Sequence, residues 1–144
     1  MSITCKECGN VQYAPANIRG ENLLRSPQSV FEVCRRMRGL KQEHFRVLAL
    51  DVRLKLIQAK TISVGSLTEC LVHPREVLRF MIESNAATAV VVHNHPSGGP
   101  SPSVQDQELT TRLQAAGELV GIRIIDHVIV AKRGYFSFRE SHRL

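Results

Sequence analysis

Tryptophan is missing from this 144-residue chain, and aromatic residues together make up only 5% of it. The sequence therefore offers no row of rings on which single-stranded nucleic acid could stack. No apolar run approaches the roughly 20 residues that a bilayer-spanning helix needs. The first residues lack the charged-then-apolar layout of a secretory signal, so a cytoplasmic location is expected and no membrane partner. Cysteine is scarce as well: Cys5, Cys8, Cys34 and Cys70 are the four, and in a reducing compartment they read as thiols rather than staples. Cys5 and Cys8 form a C-x-x-C ahead of Gly9, the shape of half a zinc knuckle. No second C-x-x-C or C-x-x-H follows to complete a four-ligand structural site. That leaves the pair in a loosely ordered tail, the simpler reading, or sharing a metal with a second copy of the chain in a homodimer. Internal repeats and low-complexity segments are absent too.

What is present is ordinary for one soluble globular domain: 43% hydrophobic and 22% charged residues. Net charge is +6 and the sequence pI about 9.6, a balance that raises the prospect of an acidic partner or nucleic acid. Yet the basic residues are dispersed, apart from Arg35, Arg36 and Arg38 and the Lys132–Arg133 turn. The reading is a solvated basic surface, with contact to nucleic acid resting on diffuse charge alone.

Residues 1 to 25 show no sustained period and contain Pro15 and Gly20, so they read as an irregular lead-in. Ser26 and Pro27 start a helix whose stripe is Val30, Phe31, Cys34 and Met37, closed by Gly39. Glu43–Asp51 and Leu56–Val64 read as two strands joined directly as a hairpin. His73–Pro74 opens a helix with Val77, Leu78, Met81 and Ile82 as its apolar side. Ala86–Val92 is a short valine-rich run, a buried central strand. A loop with Pro96, Gly98, Gly99, Pro100 and Pro102 leads to a helix capped by Ser103 and ended by Gly121. Leu109, Leu113, Ala116 and Val120 are expected on the inner side of that helix. Ile122–Val130 and Tyr135–Phe138 are the last strands, folded together at Arg133–Gly134. This alternation is an α/β layer arrangement.

The chain is organised around His93–Asp106. On an extended backbone His93 and His95 project the same way, and Pro96 keeps the preceding residue extended. Ten residues further on, Asp106 stands third after the capping Ser103, in the first turn of its helix. Helical side chains tilt back towards the N-terminus, which aims this carboxylate at the histidines. Two imidazoles and a carboxylate are the ligand set of a catalytic zinc, with a fourth position for water. Ser103-x-x-Asp106 also reads as a capping box that needs no metal; behind an H-x-H, the metal reading is preferred. Ser103 has a second use, because a hydroxyl at this place can hydrogen-bond an oxyanion. A nearby carboxylate would serve as general base. Glu43, Glu69, Glu83, Glu108, Glu118 and Asp126 are available, and Glu43 and Asp126 stand out because each interrupts or borders an apolar strand at a cost. Residue chemistry alone leaves those two level.

From about Ser26 to Glu140 the chain resembles the RadC family, a bacterial branch of the JAMM/MPN metalloprotease-like (JAB) domains. The motifs that carry the resemblance are His73-Pro74-Arg75-Glu76, His93-Asn94-His95-Pro96-Ser97-Gly98, Pro102-Ser103 with Asp106, and Asp126-His127. The resemblance implies a layered mixed β-sheet flanked by helices, of cytidine-deaminase-like architecture, over residues 26–144 behind the 1–25 lead-in. It implies one zinc ion per chain on His93, His95 and Asp106, with Glu43 as general base and Ser103 as oxyanion support. The implied activity is hydrolysis of a peptide or isopeptide bond in a peptide or protein substrate. The alternative is a DNA-associated, repair-related accessory factor with a structural metal site. Longer RadC proteins carry a helix-hairpin-helix segment ahead of this domain, where this sequence has the Cys5/Cys8 stretch, so the DNA label is expected to transfer less well than the hydrolase site. Zinc-deaminase chemistry would want H-x-E followed by P-C-x-x-C, a signature the chain lacks.

Overall fold

A computed structural model of the chain describes residues 2–4, 11–13, 23–65 and 71–144. Cys5, Cys8, Glu69 and Cys70 lie outside the described residues. Within the stretch expected to be irregular, β1 (Ser2–Thr4) and β2 (Val11–Tyr13) pair antiparallel, and β2 runs close to β4 (Leu56–Val64). The strands are three residues each, too short for a sequence period to reveal them. The lead-in also gives up its last residues to the core: Leu24 is buried, and its N–H bonds the Leu54 carbonyl at 2.8 Å.

Helix α1 spans Pro27–Val33 with Ser26 as N-cap, and the Ser26 and Ser29 side chains complete a reciprocal capping box. The helix stops earlier than Gly39. Cys34 breaks it, and a 3-10 turn over Arg35–Gly39 follows, which keeps both Cys34 and Met37 inward. Burial pushes the Cys34 thiol up to about 11, so it behaves as a small core residue. β3 (His44–Leu50) and β4 form the expected hairpin. α2 is Pro74–Glu83, β5 is Thr88–Asn94, α3 is Val104–Val120, β6 is Arg123–Ala131 and β7 is Gly134–Ser137.

Five strands make one mixed sheet in the order β4-β3-β5-β6-β7. Only β5 and β6 run parallel, because α3 provides the long crossover that a parallel pair requires. Helices α2 and α3 cover one face through Val77, Phe80, Met81 and Leu113, packed on Phe45, Val47, Ala49, Ala89 and Val91. Helix α1 and the 3-10 turn cover the other through Val30, Cys34 and Met37, packed on Leu48, Leu50, Val90, Val92, Val128 and Val130. The α/β layer arrangement is therefore as expected.

Two helix faces differ in detail. On α2 the buried residues are Val77, Phe80 and Met81, while Ile82 is exposed. On α3 they are Asp106, Thr110, Leu113 and Gly117, and Val120 is exposed. The inner stripe of α3 is polar at its start because it borders the site. It is a glycine near its end because a Cβ at 117 would lie 2.6 Å from the Ile122 carbonyl oxygen.

Candidate metal centre

Just beyond the carboxyl end of β5 the chain turns sharply, and the site forms there against the N-terminus of α3. His93 is the penultimate residue of β5 and is 1% exposed. His95 has left the strand, and its position depends on the loop that follows. Gly98, at φ +96°, takes a backbone conformation that disfavours other residues. Its carbonyl accepts the Arg133 N–H from the β6–β7 turn at 3.2 Å. The Gly99 carbonyl thereby faces His95 Nδ1 at 3.0 Å. A carbonyl only accepts, so Nδ1 carries a proton and Nε2 is the ring atom turned to the site, bare whenever the ring is neutral.

Asp106 caps its helix and turns the same carboxylate towards the histidines. Its Oδ2 accepts the Ser103 N–H at 2.9 Å, and its own N–H donates to Ser103 Oγ at 3.1 Å, a complete capping box. The same carboxylate lies 3.2 Å from His93 Nε2 through Oδ1 and 3.2 Å from His95 Nε2 through Oδ2. The two Nε2 atoms are 3.0 Å apart. Glu43, immediately before β3, reaches to 3.7 Å from His93 Nε2 and keeps 30% of its side chain exposed. Ligand atoms from Glu43, His93, His95 and Asp106 all lie within 4.8 Å of one another.

Glu43 is held by a residue that sequence reasoning passed over. Asn94, between the two histidines, is fully buried. Its Oδ1 accepts the His44 N–H at 2.7 Å and its Nδ2 donates to the Gln42 carbonyl at 3.0 Å, bracketing Glu43 from both sides. The middle residue of an H-x-H points away from the ligands, and that opposite direction is the one signal that could have marked it.

The electrostatics follow from the crowding. Burial pushes the Asp106 carboxyl up, but His93 and His95, with the Ser103 N–H, outweigh it and hold the group far below the usual carboxylate range. Burial pulls His95 down, yet Asp106, the Gly99 carbonyl and Glu43 leave it raised. The donor set fits a divalent metal ion. Two imidazole Nε2 atoms and an ionised carboxylate meet at 3.0–3.2 Å, a set that a positive ion bridges in place of the ring protons. Ligands about 2.0–2.1 Å from a tetrahedral zinc are spaced about 3.3 Å from one another, close to what is seen.

Asp126 is not here. A register shift between Ala89 and Val90 in the β5–β6 pairing sets Asp126 opposite Val90 and His127 opposite Val91. Asp126 therefore faces the α1 side, where it accepts Ser137 Oγ–H at 2.7 Å and the Arg139 N–H at 3.1 Å. His127, which sequence reasoning noted only as part of a motif, faces the site and is fully buried. Its Nε2 is 2.7 Å from His93 Nδ1, and its Nδ1 is 2.5 Å from Thr110 Oγ1. Burial, then the charge of His93, hold it well below the ordinary histidine range. Ser103 caps α3 at the rim of a cleft of about 1240 Å³ that opens over the four groups, with Leu40, Leu71, Val72 and Leu109 among its apolar lining. No helix among the described residues is long and apolar enough to cross a membrane.

Comparison with known proteins gives a consistent answer. Residues 24–143 match the family model described as a RadC-like JAB domain. A UPF0758 protein of Thermotoga maritima is 47% identical over 121 residues, covering 84% of this chain and 54% of that protein. A UPF0758 protein of Caldanaerobacter subterraneus is 45% identical, covering 83% and 56%. One from Enterococcus faecalis is 38% identical over 94% of this chain and 59% of its own length. The chain thus spans a little over half the length of these relatives.

Proposed function

The chain belongs to the RadC family of JAB domains, and on that premise we propose that it is a zinc-dependent metallohydrolase cleaving a peptide or isopeptide bond. The observation that carries this reading is the convergence of Glu43, His93, His95 and Asp106 within 4.8 Å at the floor of an open cleft. His93, His95 and Asp106 would hold the ion. When bound, it supplies a Lewis acid that polarises a carbonyl and acidifies water. Glu43 stands on the more exposed side of the group, bracketed by Asn94 so that its carboxylate reaches inward. In this reading it accepts the proton of the attacking water and returns it to the leaving amine. Ser103 Oγ accepts the Asp106 N–H, so the hydroxyl proton remains for donation to a carbonyl oxygen as negative charge grows there. The apolar lining of the cleft fits a polypeptide segment as substrate.

The test separates the base from the ligands. Glu43→Gln keeps its zinc and its fold and loses about 100- to 10,000-fold in turnover, since an amide takes no proton at neutral pH. Asp106→Asn weakens zinc binding itself, because the ligand's charge is gone. Turnover is followed on a panel of peptides and ubiquitin-like conjugates with zinc restored. Full activity of Glu43→Gln on a substrate the wild type cleaves would overturn the assignment. Steeply salt-dependent DNA binding that survives metal removal, with no cleavage of any conjugate, would favour the accessory-factor alternative.

A further inference from the structure

We propose that Thr110 and His127 are positioning residues that set the tautomer of His93, so that its Nε2 is bare and aimed at the metal position before any ion arrives. The inference rests on His93 being a metal ligand, as in the reading above.

The argument is one of hydrogen-bond direction. Thr110 lies one helical turn after Asp106 on the buried side of α3, and its hydroxyl donates to the Asp106 carbonyl at 2.6 Å. A threonine hydroxyl has one proton. With that proton spent on the backbone, Thr110 offers His127 Nδ1 a lone pair, and Nδ1 must carry a hydrogen. His127 is 0% exposed, stacked on Phe138 at 4.7 Å and edge-on to Phe45 at 5.8 Å, surroundings in which a neutral ring is favoured. A neutral ring protonated at Nδ1 is bare at Nε2, and that atom faces His93 Nδ1 at 2.7 Å. His93 Nδ1 is therefore the donor, and its own Nε2 is left as the lone pair turned towards Asp106 and His95. Reversing the chain of donors would place a hydrogen on His93 Nε2, where it would block coordination. His95 reaches the same tautomer by a separate route, through the Gly99 carbonyl. Groups behind a ligating histidine commonly fix its ring and tautomer in this way, and losing them typically costs about 10- to 100-fold in metal affinity.

Long-range proton–nitrogen correlation on metal-free, histidine-labelled protein reads each ring directly. The expected result is protonation at Nδ1 and a bare Nε2 on both His127 and His93; a hydrogen on His93 Nε2 overturns the proposal. Thr110→Val is nearly isosteric and removes the hydroxyl. It should mix the His93 tautomers and weaken zinc binding by about 10- to 100-fold, and Thr110→Ser should restore both. A folded Thr110→Val protein with wild-type affinity and an unchanged His93 tautomer also overturns it. Failure of the hydrolase reading looks different, because absence of cleavage leaves the metal-free tautomers and the zinc affinity as expected here.

Discussion

The two faces of the central sheet are built from the same strands and handle polar groups in opposite ways. Towards α1 the sheet presents Leu48, Leu50, Val90, Val92, Val128 and Val130. Its buried acid, Asp126, is matched by Ser137 and a backbone N–H. Towards α2 and α3 the face begins as apolar, with Val47, Ala49, Ala89 and Val91. It ends in His93 and His127, and there the Nε2 atoms of His93 and His95 and the Asp106 carboxylate crowd within 3.2 Å of one another. A core polar group that serves the fold has its partners. One that is left facing other acceptors is kept for something that binds. Asp126 and His127 are neighbours in sequence, and the register shift in the β5–β6 pairing divides them between the two faces.

The largest effect that sharpens this contrast is on the metal. Replacing His93 and His95 together by alanine should reduce zinc from one ion per chain to none by elemental analysis, while the protein still melts cooperatively. Retention of zinc by a variant that also lacks Cys5 and Cys8 would break the contrast, since the site face would then hold no ion.

Next comes an apolar deletion on the opposite face. Leu48 is fully buried against the α1 side, and Leu48→Ala should cost about 2–5 kcal/mol in denaturant unfolding. Zinc per folded chain should be unchanged. A variant that stays as stable as wild type but loses its metal would show that the two faces are not separable.

The smallest effect concerns Asp126. Asp126→Ala leaves the Ser137 hydroxyl and the Arg139 N–H without their acceptor and should cost about 1–3 kcal/mol. Asp126→Asn should cost less and carries a pH signature. Burial raises the Asp126 carboxyl above its ordinary value, against the opposing pull of Ser137 and Arg139. Its stabilising contribution is thus complete below the unfolded value of about 3.9. It is lost as pH rises through the higher folded value. Asparagine does not ionise, so the variant should gain on wild type as pH rises from about 4 through that window. Unfolding free energies measured across the window check the sign; a constant difference would mean that Asp126 does not titrate with folding.

Much of the site was legible before the fold was seen. His93 and His95 stand two apart at the end of an apolar strand, and Asp106 stands third after a helix cap. Local geometry alone therefore brings them near one another. Capping does not take Asp106 away from the histidines, because one carboxylate has enough lone pairs to cap its helix and still face them. Residue chemistry had left Glu43 level with Asp126, and the resemblance preferred Glu43. The structure puts the Glu43 carboxylate beside the histidines and Asp126 on the other face. His127, Thr110 and Asn94 were missed because each looks like an ordinary strand, helix or loop residue until its partner is known.

The sequence by itself determined the alternation of strands and helices, the capped start of α3 and the three-residue constellation, since these depend on periodicity and on contacts a few positions apart. The tertiary structure alone decided which face each residue of β6 took, which carboxylate met the histidines and which ring stood behind His93. Those outcomes hang on the register between strands far apart in the chain, and shifting it by one residue would have exchanged His127 for Asp126.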